Sequence, residues 1–228
     1  MKNLGISLLL LFVLSCNDQK KSSETSDKKD STVNTNNRQP ADKPAASFSL
    51  AAFDKKTTPL KDSVKETLID GAAWTDAGGE FTVLLGQTES KHGENIKNPH
   101  IYAYCYKKEG GSWKQQWIVQ DKIENCEVDA TCEFFPGSLT VTDNDKNNIG
   151  EVTFLYKLSC RGDVSPDDKK LIMYEGAKKF AIRGTTLIDD LGDKKFGGEK
   201  KVDASFNTAP KALLDFANQQ WDKFGLAK

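Results

Sequence analysis

Residues 138–160, SLTVTDNDKNNIGEVTFLYKLSC, decide the fold because they contain two strands and the turn that joins them. In the second half, apolar residues stand at every second position: Val152, Phe154, Tyr156 and Leu158. Side chains two residues apart on a strand point to the same face, so this alternation predicts a strand with one buried face over 151–160. Ser138 to Asp143 forms the partner strand across a polar turn. The stretch therefore predicts an antiparallel hairpin.

The turn of this hairpin carries oxygen-bearing side chains at alternate positions, with one more at the ninth: Asp143, Asp145, Asn147 and Glu151. Ca²⁺ takes about six to eight oxygen ligands, and a tight loop with this spacing supplies them. The loop is not an EF-hand, because Phe154 stands at its twelfth position and Asn148 replaces the usual glycine. It resembles instead the calcium loops of FG-GAP-type propeller blades. We predict a structural Ca²⁺ here, and the alternative is a polar turn stabilised by its own backbone bonds.

Further strands are predicted by the same period of two. Gly110-Gly111 and Glu175-Gly176 supply the turns of two more hairpins. On one of these strands, the alternation places Trp113, Trp117 and Val119 on the same side. The additional predicted strands are 81–85, 100–107, 113–119, 171–174 and 178–183.

The period changes at the C-terminus. Thr208 and Pro210 open a helix, and Gly225 ends it. Apolar residues in between recur at spacings of three and four: Leu213, Phe216, Ala217, Trp221 and Phe224. Such a stripe must be buried against a sheet. The predicted fold is mainly β (β-rich α+β), a single domain over 47–228 in which an antiparallel β-meander of propeller-blade-like hairpins is covered by one helix, 210–224.

The N-terminus has the pattern of an export signal. An apolar run begins at Leu4 behind Lys2 and closes at Val13-Leu14-Ser15-Cys16. The run is shorter than the ~20 apolar residues of a membrane-spanning helix. It resembles the lipobox of bacterial lipoprotein signal peptides, which implies that residues 1–15 are removed and that Cys16 is lipidated. We expect a lipid-anchored cell-envelope protein at the outer membrane. The inner membrane is the alternative, because Asp18 near the anchor resembles the inner-membrane retention signals of some bacteria.

Residues 16–46 are predicted to be a disordered tether. They are rich in Lys, Ser, Asp, Thr and Asn, contain one branched aliphatic residue, Val33, and have no aromatic residue. The whole chain has 32 basic and 33 acidic residues, a formal charge of −1. This balance excludes a nucleic-acid partner and a polybasic membrane contact, so the membrane is reached through the lipid anchor alone.

With Cys16 lipidated, an even number of cysteines remains: Cys105, Cys126, Cys132 and Cys160. An exported chain favours disulfides, and the spacing lacks the Cys-x-x-Cys pairs of zinc sites. If the 138–160 hairpin has a regular register, position 160 lies opposite 133, beside Cys132. A bulge at Pro136-Gly137 would bring Cys126 there instead. We predict a disulfide between Cys160 and one of these two cysteines.

An aromatic stripe is the second candidate site. Tyr102, Tyr104 and Tyr106 share one face of their strand, and Trp113 and Trp117 of the partner strand are candidates to join it. Clustered surface aromatics mark recognition sites, so the stripe is a candidate contact for a glycan or a protein. The alternative is a packed face under the helix or a second layer.

Four stretches carry a wider resemblance: 117–124 (WIVQDKIE), 136–143 (PGSLTVTD), 150–156 (GEVTFLY) and 181–186 (AIRGTT). Together they resemble a family of Bacteroidota envelope proteins named for surface polysaccharide biosynthesis, over residues 68–224. The resemblance implies a role in making or displaying lipopolysaccharide-type glycans. It supplies no catalytic residue.

The sequence also lacks the G-x-S-x-G, H-E-x-x-H and phosphate-loop motifs of common enzymes. We therefore expect a non-catalytic, lipid-anchored envelope protein that supports surface polysaccharide biosynthesis, with an envelope glycan or glycan-assembly proteins as partners. One alternative is an envelope glycan hydrolase with two carboxyl groups; its candidates are Glu124, Glu127, Asp129 and Glu133. The other is a calcium-stiffened module that docks another protein.

Overall fold

The structure is a computed structural model that describes residues 46–88, 98–191 and 194–226. The predicted signal peptide, Cys16 and the tether up to residue 45 lie outside the described residues. The strands are β1 (Ser49–Ala51), β2 (Thr67–Asp76), β3 (Gly79–Gln87), β4 (His100–Glu109), β5 (Ser112–Lys122), β6 (Asp129–Phe134), β7 (Thr140–Thr142), β8 (Glu151–Arg161), β9 (Asp168–Glu175), β10 (Lys178–Thr185), β11 (Leu187–Leu191), β12 (Lys194–Gly197) and β13 (Lys200–Val202). The helices are two 3-10 turns, Lys61–Ser63 and Ala204–Thr208, and α1 (Lys211–Lys223).

Two antiparallel sheets face each other. The first has the order β1-β2-β3-β4-β5, the second has the order β13-β10-β9-β8-β6 with β7 also on β8, and β11 and β12 form a separate ribbon. The inward faces of both sheets contribute to one apolar core, which includes Val83, Ile101, Phe154 and Ile172. The prediction of a β-rich antiparallel fold is confirmed, and the strands form two stacked sheets.

Helix α1 covers the outer face of the second sheet, as its apolar stripe predicted. Leu213, Ala217 and Trp221 pack in one cluster with Leu171 and Phe180 of that sheet. The side chain beneath the end of this helix is a lysine, Lys169, which is fully buried. Its Nζ donates to the backbone oxygen of Trp221 at 2.7 Å and lies 4.1 Å from the Trp221 ring centroid. A cation at a helix C-terminus is favourable, although burial lowers the pKa of Lys169 to about 8.

The 138–160 hairpin forms with the predicted alternation, but its register changes beyond β7. Val141 faces Val152, whereas Ala130 of β6 faces Cys160, where a regular register would have placed Glu133. The turn in which Ser138 N–H donates to the Phe135 oxygen inserts the extra residues. This shift is why the disulfide joins Cys126 to Cys160, with a Cα–Cα distance of 5.7 Å. Cys132, the other predicted partner, is a buried free thiol.

Candidate functional site

Three carboxylates of the β7–β8 loop come together. One ligand oxygen from each of Asp143, Asp145 and Glu151 lies within 4.8 Å of the others. Glu151 is fully buried at the start of β8, and the two aspartates are partly buried in the turn. Three of the four residues predicted to bind a metal therefore meet at one point, in an arrangement that could hold a metal ion.

Hydrogen bonds within the loop hold these carboxylates in place. Glu151 accepts from the backbone N–H of Asn144 at 2.9 and 3.0 Å and from the Thr142 hydroxyl at 2.9 Å. Asp143 accepts from the backbone N–H of Asn147 at 3.0 Å and of Asn148 at 3.2 Å. Asn148 has φ of 62°, which is the left-handed conformation for which such loops ordinarily use glycine. Asparagine tolerates this conformation, so the missing glycine does not prevent the turn.

Asn147, the fourth predicted ligand, makes three hydrogen bonds with its side chain. Its Oδ1 accepts from the Ile149 N–H at 2.7 Å, and its Nδ2 donates to Asp145 at 3.0 Å and to Glu175 at 2.7 Å. The amide thus braces the loop from within and links it to β9. The Asn147 oxygen accepts one hydrogen bond and has a second lone pair, so its role as a fourth metal ligand stays a prediction.

The loop concentrates negative charge. Glu175 lies directly opposite Glu151 in the β8–β9 ladder, and the Asn147 amide links it to Asp145 of the turn. Within the described part of the chain, none of these four carboxylates forms an ion pair with a basic side chain. Burial raises the pKa of Glu151, and the charges of Asp145 and Asp143 add to that rise. A bound cation would relieve this repulsion.

A pocket of about 420 Å³ opens between the two sheets beside this loop. Two stacked aromatic pairs line it: Trp74 with Phe81, with ring centroids 5.2 Å apart, and Trp117 with Tyr174, 4.2 Å apart. Its volume is within the range of about 300–1,000 Å³ that is typical of small-molecule sites. The pocket is thus a second element of the candidate site.

The acidic loop is connected to the pocket by hydrogen bonds and by two residues that belong to both. Asp76, which is 3% exposed, accepts from the Trp74 indole at 2.9 Å, from Gly78 N–H at 2.7 Å and from Gly150 N–H at 2.9 Å. A Cβ on Gly150 would lie 2.6 Å from the Trp74 Nε1 atom, so only glycine allows this close approach. Ile149 and Gly150 of the loop also line the pocket. A change in the loop would therefore reach the pocket wall directly.

Polar groups at the pocket are few. Lys107 lies with its Nζ 5.9 Å from the Phe81 ring centroid, and Gln116 is exposed on β5. The buried thiol of Cys105 also lines the pocket. Burial raises the pKa of Cys105 to about 12, so this thiol is protonated at neutral pH and is a poor nucleophile. The lining is mainly apolar with a polar margin.

A β-bulge separates the two tryptophans of β5. Trp117 pairs with Cys105, but the next pair is Gln115 with Tyr106, so Gln116 is an extra residue. One inserted residue exchanges the two faces of a strand. Trp117 therefore points into the inter-sheet core, and Trp113 packs on the outer face of the first sheet. The prediction that both lie on the same side was wrong for this reason.

The tyrosine stripe is covered by the segment that precedes β2. Tyr104 is 8% exposed and Tyr106 is 9% exposed, and both pack with Leu60 and Val64 of that segment. Tyr104 donates to Glu66 at 3.1 Å and stacks on Tyr102, which is partly exposed. The stripe is a packed layer, which was the alternative interpretation, so Tyr104 and Tyr106 are not exposed as candidate contacts for a glycan or a protein. The covering element is this segment and not the C-terminal helix.

The carboxylates considered for hydrolysis lie outside the lining of this pocket. Glu124, Glu127 and Asp129 are exposed, and Glu133 pairs with Lys157 at 3.1 Å. Among the described residues that line the pocket, Asp76 is the only carboxylate. The pair of carboxyl groups that glycoside hydrolysis ordinarily needs is not assembled at this pocket.

Comparisons with known protein families, curated proteins and solved structures found no match to this chain. Over the part of the chain that the structure describes, no helix has both the length and the apolar character to cross a membrane. The site is therefore interpreted from its own geometry.

Proposed function

We propose that this chain is a non-catalytic binding protein of the cell envelope, anchored by lipid at Cys16, whose pocket binds a ring of surface polysaccharide. The observation that carries the proposal is the pocket between the sheets with its two stacked aromatic pairs. A pyranose ring has an apolar C–H face and a polar rim. Aromatic walls with polar groups at the margin, such as Lys107 and Gln116, are complementary to both parts.

The proposal includes a structural Ca²⁺ at the carboxylates of the β7–β8 loop. Hard carboxylate oxygens suit Ca²⁺ well, and the loop brings three of them together with a fourth, from Glu175, nearby. The ion would offset the repulsion among these groups and join the turn to β8. Since Ile149 and Gly150 of this loop line the pocket, the ion would also fix one pocket wall. In this proposal the ion stiffens the β7–β8 loop and takes no part in a reaction.

Two features support a binding role over hydrolysis. Asp76 already accepts three hydrogen bonds from the protein, which ties its carboxylate to structure. A retaining or inverting glycosidase would need a second carboxyl group about 5–10 Å away across the substrate. The polysaccharide is therefore bound and presented in this proposal, with no bond broken.

The direct test replaces Trp117, which forms a wall of the pocket, with alanine. The probe is the mixture of fragments that mild acid releases from the surface polysaccharide of the cells that make this protein. A central aromatic anchor contributes about 2 kcal/mol or more, so W117A should weaken fragment binding by about 30-fold in isothermal titration calorimetry.

W113A is the matched control, because Trp113 lies on the same strand but packs on the opposite face. It should bind the fragments with the affinity of the wild-type chain. Equal affinity for wild type and W117A, with both folded by circular dichroism, would contradict the proposal. So would a failure of the wild-type chain to bind any fragment.

A further inference from the structure

The inward face of the second sheet extends beyond the edge of the first. β5 is the last strand of the first sheet, and its Trp117 stacks on Tyr174 of β9. β10 and β13 continue the second sheet past β9. Their inward-facing residues form a ledge beside the pocket, in which Ala181 is buried while Lys179 and Arg183 on either side of it are exposed. The β9–β10 turn joins this ledge to the pocket, which Gly176 and Ala177 line.

This ledge is basic next to the pocket. Lys179 lies opposite Tyr174 in the β9–β10 ladder, Arg183 lies opposite Lys170, and Lys201 of β13 lies opposite Arg183. Lys179, Arg183 and Lys201 are exposed, and Lys170 is partly exposed at the inner wall. Partial burial lowers the pKa of Lys179, and the charge of Arg183 lowers it further, whereas Asp121 and Asp203 act in the opposite direction.

Acidic groups neutralise the ledge only in part. Asp121 accepts from Lys170 at 2.5 Å, and Asp203 pairs with Arg183. Lys179 and Lys201 form no ion pair in the described part of the chain. Asp168 and Glu199 lie at the far end, around Thr185 of β10. Positive charge is therefore left over at Lys179, which lies opposite Tyr174 of the pocket, and at Lys201, which lies opposite Arg183.

We propose that the ligand of this pocket is an acidic glycan, whose carboxylate or phosphate group lies on the ledge over Lys179 and Arg183 while an adjacent ring enters the aromatic pocket. This inference rests on the proposed function and specifies its ligand class. Lys179 and Arg183 lie on the same face of β10, four residues apart. The pair suits an oxyanion, because guanidinium offers paired N–H donors and ammonium offers a point charge. The nearby aromatic walls favour a glycan over a bare phosphate, because they accommodate the apolar face of a ring.

The test compares two probes and two double variants of the full chain. The probes are the mild-acid polysaccharide fragments and the same fragments after reduction of carboxylates and removal of phosphates. The ledge variant is K179Q/K201Q, chosen because neither lysine has an ion-pair partner to leave behind in the described structure. The control is K55Q/K65Q, which makes the same charge change at exposed positions of the segment before β2, away from the ledge.

We expect K179Q/K201Q to bind the native fragments at least about 5-fold more weakly than the wild-type chain, with a smaller difference at high salt. The control should bind as wild type does. Neutralised fragments should bind more weakly to wild type, and K179Q/K201Q should weaken their binding no further.

Other outcomes separate the two proposals. If neutralised fragments bind as tightly as native ones and binding still depends on Trp117, the acidic-glycan inference is wrong and the proposed function stands. If no fragment binds the wild-type chain, both fail. A further outcome is that phosphatidylglycerol vesicles bind in a manner that depends on Lys179 and Lys201, while fragment binding does not depend on the charge of the fragments. In that case the ledge faces a lipid surface and the inference is overturned.

Discussion

Removing the Cys126–Cys160 disulfide with C126S/C160S is expected to lower the free energy of unfolding by about 4 kcal/mol. The bridge joins residues 34 apart in the sequence, and it restricts the unfolded chain far more than the folded one. It links the segment before β6 to the end of β8, which lies between β9 and β6 in the second sheet. Since domains of this size are stable by about 5–15 kcal/mol, this loss is a large share of the total.

Urea unfolding of the wild-type chain and the double variant, followed by tryptophan fluorescence, measures this difference. C132A is the control, because Cys132 is buried but unbridged, so its loss removes only a small apolar group. Reduction of the wild-type chain by dithiothreitol should reproduce the behaviour of the double variant. A double variant within about 1 kcal/mol of wild type would show that this bridge does not stabilise the native state in the expected way.

Calcium is expected to raise the melting temperature of the full chain by about 5–10 °C at a concentration 100-fold above its dissociation constant. A ligand that binds only the folded state at that ratio stabilises it by about 2.7 kcal/mol, and each kcal/mol shifts the melting temperature of such a domain by about 2–4 °C. The shift should depend on Asp143 and Asp145, whose oxygens cluster with Glu151. D143N/D145N should therefore abolish it.

Differential scanning calorimetry with and without Ca²⁺, after treatment with a chelator, tests this expectation. E127Q/D129N removes the same number of charges at exposed positions outside the loop, so it should keep the full shift. Mg²⁺ should give a smaller shift, because it demands a tighter octahedral site. An equal shift in D143N/D145N and wild type, or none in either, would exclude calcium binding at this loop.

The sequence predicted those parts of the fold in which local alternation is strong. Residues 151–160 form a strand as predicted, because apolar residues stand at every second position from Val152 to Leu158. Residues 178–183 also form a strand as predicted, after the Glu175-Gly176 turn. The stripe from Leu213 to Trp221 is buried on a sheet, because its apolar residues recur at spacings of three and four. By contrast, β2 has the sequence TLIDGAAWTD, in which small residues weaken the alternation. That strand, which carries Trp74 and Asp76 of the pocket, was not predicted.

Features that depend on a single inserted residue or on distant contacts could not be predicted. The bulge at Gln116 exchanges the faces of Trp113 and Trp117, and no composition signal marks it. The change of register between β7 and β6, which decides the partner of Cys160, depends on the turn at Phe135. The Pro136-Gly137 pair suggested an irregularity there but not the number of inserted residues. The pocket is lined by residues from both sheets, so predicting it requires knowledge of how the sheets stack. The acidic loop was predictable because all its carboxylates lie within nine residues.

The central claim, that the inter-sheet pocket binds the surface polysaccharide, is tested most directly by NMR of the four indole N–H groups. Trp74 and Trp117 line the pocket, whereas Trp113 lies on the outer face of the first sheet and Trp221 lies on the buried face of α1. On addition of the mild-acid fragments to the full chain, the Trp74 and Trp117 signals should shift while the other two stay in place. Shifts confined to Trp113 or Trp221, or no shift at any indole, would contradict the claim.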